Sequence, residues 1–341
     1  MARIVFMGTP EFSVPCLEML IEEGYDVAAA VAQPDRPKGR GGKLAAPPVK
    51  LCALRAGIPV LQPQKPDDAY GEILAMSPDL IVTAAYGGIL KKRLLDAPRH
   101  GCINVHASLL PKYRGASPIH QALANGDGAT GVTAMLMGEG VDTGDILLQE
   151  AVEIPAGMYF AQLHDLLAEL GARALKKAIP GYLAGLIKPV PQDGALASKA
   201  PLIRKGDGVL DFGMAAAAVA NRVRAFSSWP GAVAELGGRR AKILAATASA
   251  PVLSPSPPLS PVSDSALSGA AEGAGGAAGA RGAAGARPGD VASVTRDALR
   301  IACGDGGTLD VTRLQFENGK PMDIGACWHN LSGMAQRPEK P

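Results

Sequence analysis

Short apolar runs of β character alternate with segments of helical period through the first half of the chain. Runs at 3–7, 26–32, 79–84, 102–105, 133–137 and 146–151 predict strands. Between them, helical spacing of apolar positions predicts helices over 12–23, 48–56, 67–76, 118–125 and 158–178. This alternation marks an α/β domain whose mostly parallel sheet is covered on both faces, with sites at the carboxyl ends of the strands. Beyond residue 187 the pattern changes. A Lys188-Pro-Val-Pro191 run and the polar stretch after it predict a connector, followed by a helix over 215–225 and short strands at 209–212, 231–236, 241–245, 299–302 and 308–314. Five short strands separated by glycines suit a small β-barrel of the oligonucleotide-binding (OB-fold) kind. The expected organisation is a Rossmann-like domain over 1–189, a linker over 190–207 and the OB-like domain over 208–335.

Inside that second domain, residues from about 246 to 289 are almost wholly Ala, Gly, Ser and Pro, and include a tandem Gly-Ala-Ala-Gly-Ala-Arg. So little apolar side-chain surface does not offset the roughly 1–2 kcal/mol per residue of backbone ordering. A disordered insertion in a surface loop is expected.

Length supports this division, because 341 residues exceed what one core usually fills. The net charge of +2 gives no global reason to expect a nucleic-acid or an acidic partner. Five widely spaced cysteines, Cys16, Cys52, Cys102, Cys303 and Cys327, have no metal-binding spacing and fit a reduced, cytoplasmic protein. The first residues lead straight into a strand with no signal-peptide pattern, and no uncharged apolar run reaches the roughly 18 residues of a membrane helix. Neither a membrane partner nor a metal is expected. The turn at Gly8-Thr9-Pro10 lacks the Gly-x-Gly-x-x-Gly that admits a pyrophosphate, so no NAD is expected; Gly8 makes the turn and Thr9 caps the helix.

Charge is concentrated locally. Between Gln33 and Lys43, Arg36, Lys38, Arg40 and Lys43 stand against one acid, Asp35, on a Gly- and Pro-rich loop. Such a loop can be a solvated surface, or it can grip a phosphate backbone with salt-dependent affinity.

The chemistry is concentrated too. Asn104 and His106, two apart on an extended segment, project to one face, so an amide and an imidazole can approach one small group together. When an amine adds to a carbonyl carbon, negative charge grows on oxygen and positive charge on nitrogen, so a donor and a base are both needed. Asn104 and His106 can serve the oxygen, and Asp142, in the run Gly140-Val-Asp-Thr-Gly-Asp145, can position the imidazole and accept the proton. Ser108 with Leu109 and Leu110 offers a polar anchor beside an apolar wall, as a flat heterocyclic cofactor would need.

These residues carry a resemblance over nearly the whole chain. Gly8-Thr-Pro-Glu-Phe12, Gln33-Pro-Asp-Arg-Pro37, Ala85-Tyr-Gly87, Asn104-Val-His106, Ser108-Leu-Leu-Pro111 with Tyr113-Arg-Gly115, and Val141-Asp-Thr-Gly-Asp145 resemble the methionyl-tRNA formyltransferase family. In the second domain Arg224-Ala-Phe226, Trp229-Pro-Gly231 and Gly319-Lys-Pro-Met322 resemble it as well. The resemblance implies a Rossmann-like formyltransferase domain joined to an OB-type barrel, and transfer of formyl from 10-formyltetrahydrofolate to methionine on initiator methionyl-tRNA by a monomer. It implies Asn104, His106 and Asp142 as the catalytic trio, Ser108, Leu109, Leu110 and Pro111 as the tetrahydrofolate-binding stretch, and Tyr86 to Leu90 as the lining of the pterin pocket. It places Arg36, Lys38, Arg40 and Lys43 against the tRNA acceptor stem. Glycinamide ribonucleotide and amino-sugar formyltransferases share the trio; the basic loop and second domain favour tRNA. The long insertion, the loose match at 196–204 and Ser227-Ser228 depart from the family pattern, away from the reacting centre.

Overall fold

The structure, a computed structural model, describes residues 1–38, 42–250 and 286–335. The chain forms two compact units, Met1–Ile203 and Arg204–Pro341. The first unit therefore takes in residues 190–203, whose composition suggests a connector. The reason is backbone pairing: Val190 bridges Ile146, and Lys199 bridges Arg114.

The first unit is built on a seven-stranded sheet. In chain order its elements begin with β1 (Arg3–Gly8), α1 (Val14–Glu22) and β2 (Asp26–Val31), then a hairpin of β3 (Arg36–Lys38) and β4 (Lys43–Ala45). They continue with α2 (Pro48–Arg55), β5 (Val60–Leu61), α3 (Tyr70–Ala75), β6 (Leu80–Ala84), α4 (Lys92–Leu95) and β7 (Cys102–His106). The unit is completed by α5 (Pro118–Ala124), β8 (Ala129–Leu136), β9 (Ile146–Glu153) and α6 (Phe160–Leu183). The strand order is β5-β2-β1-β6-β7-β8-β9. Pairing is parallel from β5 to β7 and antiparallel for β7–β8 and β8–β9. β6 is buried at all five positions and β1 at all but Arg3, which is why these strands read as continuous apolar runs rather than alternating ones.

The chain moves outward from β1 to β2 and β5, then returns to β6 on the other side of β1. That reversal opens a crevice at the carboxyl ends of β1 and β6, next to β7, where open α/β sheets take their ligands. Gly8 ends β1 there because a Cβ would sit 2.7 Å from Ser13 Cβ. Thr9, expected as a helix cap, instead donates its hydroxyl to the Tyr86 carbonyl (2.8 Å), tying the β1 end to the β6 end.

Helix α6 holds β7 in place. Leu163, Leu167, Leu170, Ala174, Leu175 and Ala178 recur at helical spacing and are buried. At Gly171 the helix approaches so closely that a Cβ would lie 2.8 Å from Val105 Cγ1 on β7. Replacing Gly171 by Leu is expected to cost about 1–3 kcal/mol through overpacking. A urea midpoint equal to wild type would show that α6 does not lean on β7 there.

The second unit contains α7 (Ala216–Phe226), β10 (Ala232–Leu236), β11 (Arg239–Ser249), β12 (Val291–Val294), β13 (Leu299–Ala302), β14 (Thr308–Phe316), β15 (Met322–Asp323) and α8 (Ile324–Leu331). Its strands form an antiparallel sheet in the order β10-β11-β14-β13-β12, with β15 on β14. Residues 209–212 form no strand; Val209 makes a single bridge to Val233. The Ala-rich start of the expected insertion is ordered sheet, because Ala246 to Ser249 pair with Val311 to Thr308 of β14. Residues 251–285 of the insertion lie outside the described residues, and at its far end the Gly289 amide donates to the Ala302 carbonyl at 2.9 Å.

Candidate active site

At the carboxyl ends of β1, β6 and β7 lies a cavity of roughly 740 Å³. Tyr86 to Leu90 form one part of its wall, Met135 and Met137 to Asp142 another, and the rings of Phe12, His120, Phe160 and His164 with the aliphatic Ile119 a third. Asn104 and His106 line it from β7.

Each polar group of the trio is oriented by a neighbour. Thr83, paired with Asn104 across β6 and β7, donates its hydroxyl to Asn104 Oδ1 (2.7 Å). With the amide oxygen so engaged, the NH2 of Asn104 is the end left to donate. His106 is 6% exposed, and its Nε2 lies 2.9 Å from the Tyr113 carbonyl. A carbonyl only accepts, so Nε2 carries the hydrogen and Nδ1 of the neutral ring is a lone pair. Asp142 Oδ2 stands 3.5 Å from that Nδ1 and accepts a hydrogen bond from the Gly115 amide at 2.8 Å. The carboxylate is thus ready to meet a proton that arrives on the imidazole.

Two backbone outliers flank His106. Tyr113 and Asp142 have φ of 65° and 51°, the left-handed region that non-glycine residues avoid. Both are held from outside, as such strain requires. The Tyr113 hydroxyl donates to Asp127 Oδ2 and accepts from Asn125 Nδ2, both at 2.8 Å, which fixes the residue whose carbonyl holds His106. Burial lifts the Tyr113 hydroxyl above its ordinary range, so it remains a donor. The Asp142 turn depends on Gly144, where any Cβ would overlap the Leu136 carbonyl oxygen.

Residues 2–179 match the Formyl transferase family, and residues 202–331 match the Formyl transferase, C-terminal domain. Over 325 residues the chain is 43% identical to a methionyl-tRNA formyltransferase of Citrifermentans bemidjiense, covering 95% of this chain and 92% of the relative. Over 323 residues it is 45% identical to that of Syntrophus aciditrophicus, covering 94% and 93%. The chain belongs to the methionyl-tRNA formyltransferase family. Among solved structures it resembles WlaRD, a sugar 3N-formyl transferase, at 18% identity and a TM-score of 0.62, with 94% and 99% of the two chains covered. It also resembles a methionyl-tRNA formyltransferase from Clostridium thermocellum at 15% identity and a TM-score of 0.51, with 72% and 93% covered. At these identities the shared property is the fold.

Family membership makes the position of the remaining expected site residues informative. Ser108, Leu109, Leu110 and Pro111, expected to bind tetrahydrofolate, do not line the cavity. Ser108 and Leu110 are 1% and 3% exposed, and the Ser108 hydroxyl donates to the Lys112 carbonyl at 2.6 Å. Thr133 donates to the Ser108 carbonyl and accepts from the Leu110 amide, so this stretch buttresses the turn that delivers Tyr113 to Gly115. Tyr86 to Leu90 do line the cavity. Tyr86 is buried, its hydroxyl has no hydrogen-bond partner among the described residues, and burial pushes its pKa to about 12.

The basic segment is a hairpin in which Arg36 pairs with Ala45 and Lys38 with Lys43. Arg36 and Lys43 are exposed; Arg40 lies outside the described residues. Asp35, the one acid of the segment, accepts from Lys50 Nζ at 2.9 and 2.8 Å and from Gln62 Nε2 at 2.8 Å. The Lys50 hydrogen bond, then that of Gln62, holds the Asp35 carboxyl below its usual range. Asp35 therefore anchors the base of the hairpin and its charge is matched by Lys50. Among the described residues no group of three or more His, Cys, Asp or Glu is placed to hold a metal, and no helix is long and apolar enough to cross a membrane.

Proposed function

We propose that the chain transfers a formyl group from 10-formyltetrahydrofolate to the α-amine of methionine esterified to initiator tRNA, in the cytoplasm. The observation that carries this reading is the convergence of Asn104, His106 and Asp142 on one cavity at the sheet's switch point.

The cavity fits the donor. Its volume lies within the roughly 300–1,000 Å³ typical of small-molecule sites, and its lining combines apolar residues such as Ile89, Leu90, Met135 and Met137 with the polar Asn104, His106 and Asp142. We assign the pterin to the Tyr86–Leu90 wall, and give Ser108 to Pro111 an indirect part, through the turn that they support. Phe12, Ile119 and Phe160 offer a surface suited to a polarizable thioether such as the methionine side chain.

The folate supplies the formyl group; the chain supplies the polar environment of its transfer. Asn104 donates to the formyl oxygen as charge grows there, its amide held in that sense by Thr83. His106 Nδ1 takes the proton released as the amine forms its new C–N bond, and Asp142 stabilises the resulting imidazolium. The same proton is then available for the departing nitrogen. Tyr113 keeps the ring in the tautomer that exposes Nδ1.

The exposed hairpin cations Arg36 and Lys43, joined by Lys38 and Arg40, grip the phosphates of the acceptor arm. Neutralising Arg36 and Lys43 together to Gln is expected to flatten the dependence of log Kd on log salt by roughly 0.7–0.9 for each phosphate that these cations neutralise. An unchanged slope would remove the hairpin from RNA binding. The activity itself is tested by incubating the purified protein with 10-formyltetrahydrofolate and charged initiator tRNA. N-formylmethionine released on hydrolysis of the tRNA supports the reading, and its absence refutes it.

A further inference from the structure

The stretch 190–200 does more than follow the last helix of its unit. Val190 pairs with Ile146 by two backbone hydrogen bonds of 2.8 and 2.9 Å, so the chain is fixed beside the Asp142 turn. Ten residues on, the Arg114 amide donates to the Ser198 carbonyl (2.8 Å) and the Ala200 amide donates to the Arg114 carbonyl (2.7 Å). One segment therefore braces the two turns that meet at His106.

Gln192 joins them through its side chain. Its Oε1 accepts from Arg114 Nε (3.0 Å) and Nη2 (2.8 Å), and its Nε2 donates to the carbonyls of Asp142 (3.0 Å) and Gly144 (2.7 Å). A guanidinium can only donate and a carbonyl can only accept, so just one orientation of the amide satisfies all four contacts. On one side of Gln192 is Arg114, the neighbour of Gly115, whose amide donates to Asp142 Oδ2. On the other is the backbone of Asp142 itself, in a left-handed conformation with φ of 51°. Such a residue keeps its conformation only where its surroundings over-determine it, and Gln192 provides two of those restraints.

We infer that Gln192 is a positioning residue of the transfer reaction: by clamping the carbonyls of Asp142 and Gly144 to Arg114, it sets the distance between the Asp142 carboxylate and His106 Nδ1. It touches neither substrate and does not line the cavity. The inference rests on the formyl-transfer reading, and concerns how the trio of that reading is assembled.

Two variants test it. Gln192→Glu keeps the length and the acceptor facing Arg114 but loses the donor for the two carbonyls; Gln192→Met removes both. Each is expected to lower kcat by about ten- to a hundredfold, the usual effect of losing a group that orients a catalytic one. KM for charged tRNA and for 10-formyltetrahydrofolate is expected to stay within about threefold. The decisive comparison introduces the same changes into Asp142→Asn, where residues acting as one unit are non-additive. There, Gln192→Glu is expected to change kcat less than twofold. A wild-type kcat in both single variants overturns the inference, as does an equal loss in the Asp142→Asn background, which marks a structural role alone. If Gln192→Met does not fold, Gln192→Glu, with its partner for Arg114 intact, carries the test. Wild-type protein assayed in parallel separates the outcomes: no transfer by the wild type refutes the function, whereas an active wild type with indifferent Gln192 variants refutes only the clamp.

Discussion

His106→Ala is expected to lower kcat for formyl transfer by about 10²–10⁴-fold, the range for loss of a positioned acid–base group. The ring's Nε2 is committed to the Tyr113 carbonyl, so the proposed proton transfer uses Nδ1, the nitrogen that faces Asp142. Affinity for charged tRNA should change little, because the imidazole is buried and lies at the reacting end of the cavity. The substitution also leaves the Tyr113 carbonyl without its partner, at a cost of roughly 1–3 kcal/mol of stability. Thermal unfolding must therefore be measured beside single-turnover kinetics. A folded His106→Ala protein with a near-wild-type rate removes the imidazole from the mechanism.

Asn104→Ala should cost about 10²–10³ in kcat, as loss of one donor to a developing oxyanion does elsewhere. Asn104→Asp is the sharper test. It keeps the shape and the hydrogen bond from Thr83 but replaces the donor with a second acceptor, so its loss should be at least as large as that of Ala. If Asn104→Asp keeps half the wild-type rate, Asn104 does not serve the oxygen.

The first unit was legible because its signals are local. Runs such as 3–7 and 102–105 are apolar whichever neighbour they pair with, and the spacing of Asn104 and His106 guarantees a common face. Asp142 could be singled out from its motif, although its 3.5 Å approach to His106 depends on a turn that Gly144 alone permits. Long-range partners were not legible. Thr83 orients Asn104 through the pairing of β6 with β7, and nothing near Thr83 announces that pairing. Gln192 sits in a Pro-rich stretch that reads as a connector, while its four hydrogen bonds reach into two distant turns.

The stretch from Ser108 to Pro111 shows the limit in the other direction, since its residues do not line the cavity. A hydroxyl beside two leucines has the chemistry of a binding wall, but Thr133 draws its backbone into the unit's interior. Local composition gave the chemistry of these side chains and not their direction. In the second unit, β11 runs past 246 because β14 opposite it is nine residues long, so an Ala-rich composition did not prevent pairing. Residues 209–212 are apolar enough for a strand, but only Val209 finds a bridging partner.

The acceptor is the centre of the account, since the trio alone fixes only formyl transfer to an amine. The direct measurement is a competition in which the protein, with 10-formyltetrahydrofolate, is offered charged initiator tRNA, glycinamide ribonucleotide and an amino-sugar nucleotide under one set of conditions. The expected result is formylation of the methionyl-tRNA, with kcat/KM at least about a hundredfold above the other two, a difference of about 2.7 kcal/mol in transition-state binding. Equal or faster formylation of either small acceptor would contradict it.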